Sequence, residues 1–144
     1  MYRRILVATD FSRGAELAWD AARELARAHG AELVLLHVFM EMPSFRFADA
    51  AQVQRLYEQQ RLGVEETLNQ QVEAARAAGL MATPLLRTGA PAETILAAAR
   101  EERADLIVIG AHGERGITPL LVGNVAERVV RLADRPVLIV RRAA

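Results

Sequence analysis

Neither cysteine nor lysine occurs in this 144-residue chain. Without thiols there is no disulfide, no thiolate nucleophile and no Cys-based metal site. Without lysine there is no Schiff-base amine and no P-loop ammonium to reach a phosphate. All 18 basic residues are therefore arginine, and they meet 18 acidic residues for a formal net charge of zero. Neither sign gathers into a run, and no basic stripe interleaved with aromatics is present. The expectation is that neither nucleic acid nor an anionic membrane is a partner. No apolar run is long enough to span a bilayer. Met1-Tyr2-Arg3-Arg4 leads straight into a strand-like run without a secretory h-region, which predicts a soluble cytoplasmic protein. Histidine occurs only at 29, 37 and 112. None stands in a short His/carboxylate constellation, so neither a dedicated metal site nor a catalytic group is expected.

What the chain does have is apolar residues, 52% of the total, arranged as alternating strands and helices. Short, mostly apolar runs rich in leucine or β-branched residues occupy residues 5–8, 33–38, 81–86 (the weakest), 106–109 and 136–140. Between them lie segments with helical periodicity. Ser12 is placed to cap the first, which carries Ala15, Ala18, Trp19, Ala22, Leu25 and Ala26 on one face and ends at His29-Gly30. A loop with Pro43, Phe45 and Phe47 precedes a long helix over about 49–78, whose inner stripe is Val53, Tyr57, Val64, Leu68, Val72 and Ala75. Pro91 opens a third helix that turns Ile95, Leu96 and Ala99 inward. Residues 124–132 form the fourth.

Uninterrupted apolar strands joined by helices predict an α/β fold, an open five-stranded parallel sheet with helices on both faces, as one domain over 1–144. Crossover handedness leaves few windings, and the order 3-2-1-4-5 sets strands one and four side by side at the reversal point. Thr9-Asp10 should then lie beside Gly110–Gly113, at the crevice where such sheets bind ligands.

The stretch from Asp105 to Val130 carries most of the functional signal. An apolar strand breaks at Gly110 into Gly110-Ala-His-Gly113, and Gly123-Asn124 opens a helix. Glycines let backbone amides approach a phosphate closely, while a helix start offers unpaired N–H donors and the positive end of its dipole. The combination predicts a nucleotide-phosphate site.

The residues that carry a family likeness run the length of the chain: Ile5-Leu-Val-Ala-Thr-Asp10-Phe-Ser, Leu35-Leu-His37-Val38, Gly89-Ala-Pro91, Ala104-Asp-Leu-Ile-Val-Ile-Gly110 and Arg135-Pro-Val-Leu-Ile-Val. The most specific is Gly110-x2-Gly113-x9-Gly123-Asn124. In these features the chain resembles the universal stress protein family, in its ATP-binding branch, with that family's Rossmann-like (adenine nucleotide alpha hydrolase-like) fold. The resemblance implies that Ala8, Thr9 and Asp10 lie near the adenine and that Val38 meets it through its backbone. Gly110, His112, Gly113, Glu114, Arg115 and Gly116 would wrap the ribose and phosphates. Gly123, Asn124, Val125 and Ala126 would offer helix-start donors to the phosphate tail. The family pattern ends in Ser or Thr where this chain has Asn124. Asparagine keeps the N–H and can cap a helix, but it lacks a hydroxyl for phosphate or Mg²⁺.

Alternatives stand beside several of these readings. Asp10 is also a natural turn residue, His112 can shape the loop or meet the ribose, and His37 reads as a core or sheet-edge histidine. His29 sits where a helix dipole favours a cation. Arg13 and Arg115 are either phosphate counter-charges or solvated, and Phe45, Phe47 and Trp19 read as core or interface anchors. For function, the leading expectation is a nucleotide-binding regulator of the stress response in which ATP orders the segment 111–122. A slow ATPase and a dimeric interaction protein without nucleotide are the alternatives. A phospho-receiver domain is rejected, since it needs a lysine. The last strand, around 136–141, reads as an apolar edge that pairs with a second copy, as the family does. Its flanking arginines read equally well as edge protection.

Overall fold

The computed structural model describes residues 1–40, 49–112 and 123–141. Strands β1 (Arg4–Ala8), β2 (Glu32–Phe39), β3 (Ala82–Thr88), β4 (Leu106–Gly110) and β5 (Val137–Val140) form one sheet in the order β3-β2-β1-β4-β5. Every neighbouring pair is parallel. The helices are α1 (Arg13–His29), α2 (Ala50–Ala77), α3 (Pro91–Glu101) and α4 (Asn124–Leu132).

Local chemistry sets the helix limits. The Ser12 side chain accepts the Ala15 amide at the start of α1, and Gly30 ends that helix in the left-handed region at φ 68°, where a residue without Cβ is unstrained. Proline stands first in α3, where its missing N–H forfeits no helical bond. The long helix α2 starts at Asp49, whose carboxylate accepts the Ala51 amide.

The central stretches of β1, β2 and β4 are apolar on both faces because both sheet faces are covered. Ile5 and Val7, Leu33 and Leu35, and Leu106 and Val108 point into one core with Trp19, Ala22, Leu68 and Val72. Their alternates, Leu6 and Ala8, Val34 and Leu36, Ile107 and Ile109, fill a second core with Ile95, Leu96, Ala126 and Val129. Each fully buried Leu, Ile or Val contributes roughly 1.5–3 kcal/mol. Right-handed crossovers explain this division. The chain steps outward from β1 to β2 to β3 under α1 and α2, then turns back to β4 and β5. Keeping the same hand in the opposite direction requires α3 and α4 on the opposite face.

Two details depart from the periodicity. Of the stripe expected along α2, only Leu68, Val72 and Ala75 are buried, while Val53, Tyr57 and Val64 are half-buried. At about 1.5 Å per residue the 28-residue helix is roughly 42 Å long, well beyond the strands it covers. At the end of α1, His29 Nδ1 accepts the Tyr2 amide at 3.2 Å. His29 thereby ties the chain's first residues to the last turn of α1. Among the described residues no helix is long and apolar enough to cross a membrane.

Candidate functional site

At the carboxyl end of β1 the sheet hands the chain to a tight turn. Thr9 still belongs to the sheet network, its amide donating to the Leu36 carbonyl at 2.8 Å. Its hydroxyl accepts the Phe11 amide at 3.0 Å, and its carbonyl lies 2.8 Å from His37 Nδ1. Thr9 is thus a buried polar residue with its groups engaged, as a buried hydroxyl must be. Asp10 is exposed, and its carboxylate accepts the Ser12 amide at 3.0 Å. It serves the turn that launches α1 while standing at the sheet's carboxyl edge. Phe11 takes φ 63°, a region that side-chain-bearing residues seldom occupy.

The end of β4 is built from close backbone approach. A Cβ on Gly110 would fall 2.6 Å from the carbonyl oxygen of Gly14, and a Cβ on Gly14 would collide with the carbonyl oxygen of His112. The first turn of α1 therefore lies directly on the Gly110–His112 backbone. β1 and β4 are neighbours, with Val7 opposite Val108, so Thr9-Asp10 and Gly110 leave the same edge of the sheet side by side, as the winding predicts.

The third segment joins through one hydrogen bond. Gly123 donates its amide to the Ala111 carbonyl at 2.6 Å, and Ala111 donates its own to the Val140 carbonyl at 2.9 Å. The ends of the glycine signature are thereby brought together, strand end against helix start. The Gly123 N–H, expected among the helix-start donors, is engaged here by the Ala111 carbonyl. Gly123, and not Asn124, is the N-cap of α4, and it makes no side-chain cap. The amides of Asn124, Val125 and Ala126 then open the helix uncapped by that residue, at the positive end of the dipole. Asn124 and Val125 are exposed and Ala126 is buried.

The remaining expected site residues divide as follows. Ala8 is buried in the second core, and Val38 is half-buried beside it. The Nε2 of His112 is buried with no hydrogen-bond partner among the described residues. Gly113, Glu114, Arg115 and Gly116, the rest of segment 111–122 beyond His112, and Phe45 and Phe47 lie outside the described residues. Arg13 is exposed and paired with Glu16 at 3.0 Å, which makes it a solvated helix-start residue. Trp19 belongs to the core. Sequence reasoning missed Gly14 and Phe11. The only local signal for Gly14 is a glycine in the first turn of a helix, where any small residue would suit the helix itself.

On the far side of α4, Arg128 pairs with Glu93 at 2.5 Å. Glu93's own backbone hydrogen bond, followed by the Arg128 guanidinium, holds its carboxyl below the ordinary glutamate range. No group of three or more His, Cys, Asp or Glu able to hold a metal occurs among the described residues. The site therefore combines a strand end with no room for a Cβ, helix-start amides without a side-chain cap from Gly123, and an imidazole nitrogen with no hydrogen-bond partner among the described residues. Chemically, the arrangement can present neutral hydrogen-bond donors and a dipole to an anion.

Comparison with known proteins agrees with the architecture. The profile of the universal stress protein family matches residues 1–141. A universal stress protein of Thermus aquaticus is 36% identical over 144 residues, 98% of this chain and 100% of that one. The solved universal stress protein of Lactobacillus plantarum superposes with a TM-score of 0.86 at 26% identity, covering 97% of this chain and 98% of its own. Two further solved relatives hold nucleotides. A universal stress protein in complex with cAMP has TM-score 0.72 and 27% identity over 97% of both chains. One from Archaeoglobus fulgidus in complex with dAMP has TM-score 0.67 and 27% identity over 97% of this chain and 98% of its own. With the sheet order, the glycine-built strand end and this match over nearly the whole length, the chain belongs to the universal stress protein family.

Proposed function

We propose that this protein binds an adenine nucleotide, ATP foremost, in the crevice at the carboxyl ends of β1 and β4, and acts as a nucleotide-responsive regulator in the stress response. The observation that carries the reading is the Gly123–Ala111 hydrogen bond of 2.6 Å. It seats the start of α4 against the strand end where Gly110 leaves no room for a side chain. In this reading the amides of Asn124, Val125 and Ala126 receive the phosphates. His112 supplies a donor at the ribose or phosphates, Gly110 allows close approach, and Thr9, Asp10 and Val38 frame the base. Gly113, Glu114, Arg115 and Gly116 complete the set by their place in the glycine signature. The cAMP and dAMP complexes of relatives support adenine as the base. Asn124 has no hydroxyl for a metal, so Mg²⁺ contributes little to affinity.

The protein works as a homodimer through the strand region 136–141. Support comes from the two sheet edges. β3 carries Pro84, which lacks an N–H to donate, whereas β5 runs Val-Leu-Ile-Val with Leu138 exposed. A proline marks an edge that does not extend, and an apolar edge without one invites pairing.

Mass spectrometry of natively purified protein for co-purifying nucleotide, followed by calorimetry with ATP, AMP and GTP, tests the reading. ATP binding in the micromolar range with preference over GTP is expected. Absence of both co-purified nucleotide and measurable ATP binding would sink it.

A further inference from the structure

We infer that His37 is the positioning residue for the adenine end of this site, an assignment that rests on the nucleotide reading above. His37 lies on β2 one residue before Val38, and its Nδ1 is 2.8 Å from the Thr9 carbonyl oxygen. A carbonyl oxygen only accepts, so Nδ1 carries the proton and the imidazole is fixed as a donor toward β1. The same ring stacks on Phe11, with centroids 4.8 Å apart and planes at 21°. Phe11 holds the left-handed φ of 63°, a conformation that needs outside support. One side chain thus grips the residues on both sides of Asp10.

The grip is braced from behind. Phe39 meets the His37 ring edge-on at 6.3 Å, and Tyr57 of α2 meets Phe39 at 5.1 Å and 86°. A row of rings therefore runs from the turn after β1 to the long helix and leaves the imidazole little freedom. His37 and Val38 are consecutive in a strand and face opposite sides of the sheet. His37 meets Phe11, which packs on the α1 and α2 core, and Val38 packs on the α3 and α4 core. His37 acts on the base through Thr9 and Phe11 while its neighbour frames the base by its backbone. Because β1 and β2 pair with Ala8 opposite Leu36, this contact sets the relative height of the two segments that frame the base. The turn's local bonds, Thr9 Oγ1 to the Phe11 amide and Asp10 Oδ1 to the Ser12 amide, close it on itself. The Nδ1 bond is the side-chain tie that fastens it to β2.

The test uses His37→Phe, which keeps a ring on Phe11 without a donor, and His37→Asn, whose amide nitrogen stands as many bonds from the backbone as Nδ1. Affinities for ATP, GTP and inorganic tripolyphosphate are measured by calorimetry on the full chain, with melting followed by circular dichroism. In His37→Phe, ATP affinity should fall about five- to tenfold, the scale of one lost hydrogen bond. The ATP-over-GTP preference should shrink in proportion, and tripolyphosphate affinity should stay within about twofold. His37→Asn should keep the adenine preference within about twofold. Equal losses for all three ligands, or unchanged selectivity in a folded His37→Phe, overturn the assignment. If His37→Phe does not fold, His37→Asn decides: restored preference supports the role of the donor, and lost preference overturns it. A wild-type protein that binds none of the three ligands overturns the nucleotide reading itself, a result separable from altered selectivity.

Discussion

Gly14 and Gly110 stand backbone to backbone: a Cβ on Gly110 would lie 2.6 Å from the Gly14 carbonyl oxygen and 2.7 Å from its carbonyl carbon. Neither partner can withdraw, because one is in the first turn of α1 and the other ends a central strand. Alanine at either position should destabilise the fold by about 1–3 kcal/mol, the usual cost of overpacking. Gly63 in α2 is the internal control. A Cβ there meets nothing within 4 Å, so Gly63→Ala should stabilise by about 0.5–1 kcal/mol through helix propensity. Urea denaturation of the three variants checks both signs, and a neutral Gly14→Ala would contradict the contact.

Asn124 is the one position of the glycine signature that departs from the family pattern. As the first residue of α4 it is exposed at the helix-start amides. Asn124→Ser should tighten ATP binding by about 1 kcal/mol by adding a hydroxyl hydrogen bond. Asn124→Asp should weaken it at least about tenfold, because a carboxylate beside a phosphate is repulsive. AMP affinity should change less than ATP affinity in both variants. If the ATP/AMP ratio is the same in all three proteins, this residue does not lie at the phosphate tail.

Arg135 links the end of α3 to the approach to β4. Its guanidinium donates to the carbonyl of Ala99 at 2.9 Å and to that of Ala104 at 2.7 Å. Arg135→Met keeps much of the apolar stem and removes one donor from each carbonyl, that of Ala99 retaining the Ala104 amide. A loss of about 1.5–3 kcal/mol is expected, the range for hydrogen bonds involving a charge. Thermal and urea unfolding measure it, and a change within about 0.5 kcal/mol would mean that water replaces the guanidinium.

The Glu93–Arg128 pair ties α3 to α4 and responds to pH. The folded carboxyl titrates below its ordinary value of 4.5, chiefly through its backbone hydrogen bond and then through Arg128. A depressed acid contributes stability that is complete above the unfolded value and is lost as pH falls through the folded one. The contribution should therefore persist at neutral pH and fade only below about pH 4.5. Arg128→Gln should raise the Glu93 midpoint only part of the way, since the larger cause stays in place. Carboxyl-carbon NMR titration reads this directly, and a midpoint restored fully to 4.5 would reverse the order of causes.

Leu138 faces outward on β5, 37% exposed at the sheet edge. If this edge pairs with a second copy, Leu138→Arg should convert a dimer to a monomer by light scattering while leaving the melting curve of the monomer unit cooperative. An unchanged mass would move the dimer interface elsewhere or remove it.

The sequence by itself determined the fold class. Apolar runs on both phases of the central strands demand two covered faces, and right-handed crossovers then leave few windings, among them the observed order β3-β2-β1-β4-β5. Capping chemistry placed helix limits closely: Ser12, Gly30 and Pro91 all stand where local rules put them. Glycine spacing marked the strand end and helix start of the site. Tertiary structure alone decided what those backbone groups do. Whether the Gly123 amide faces a ligand or the Ala111 carbonyl depends on how α4 settles against β4 and β5, which no spacing encodes. The roles of Gly14, Phe11 and His37 depend on contacts between segments far apart in sequence, whose residue types look ordinary in isolation. Local preferences are written residue by residue, whereas close approach between distant backbones exists only once the sheet has brought them together.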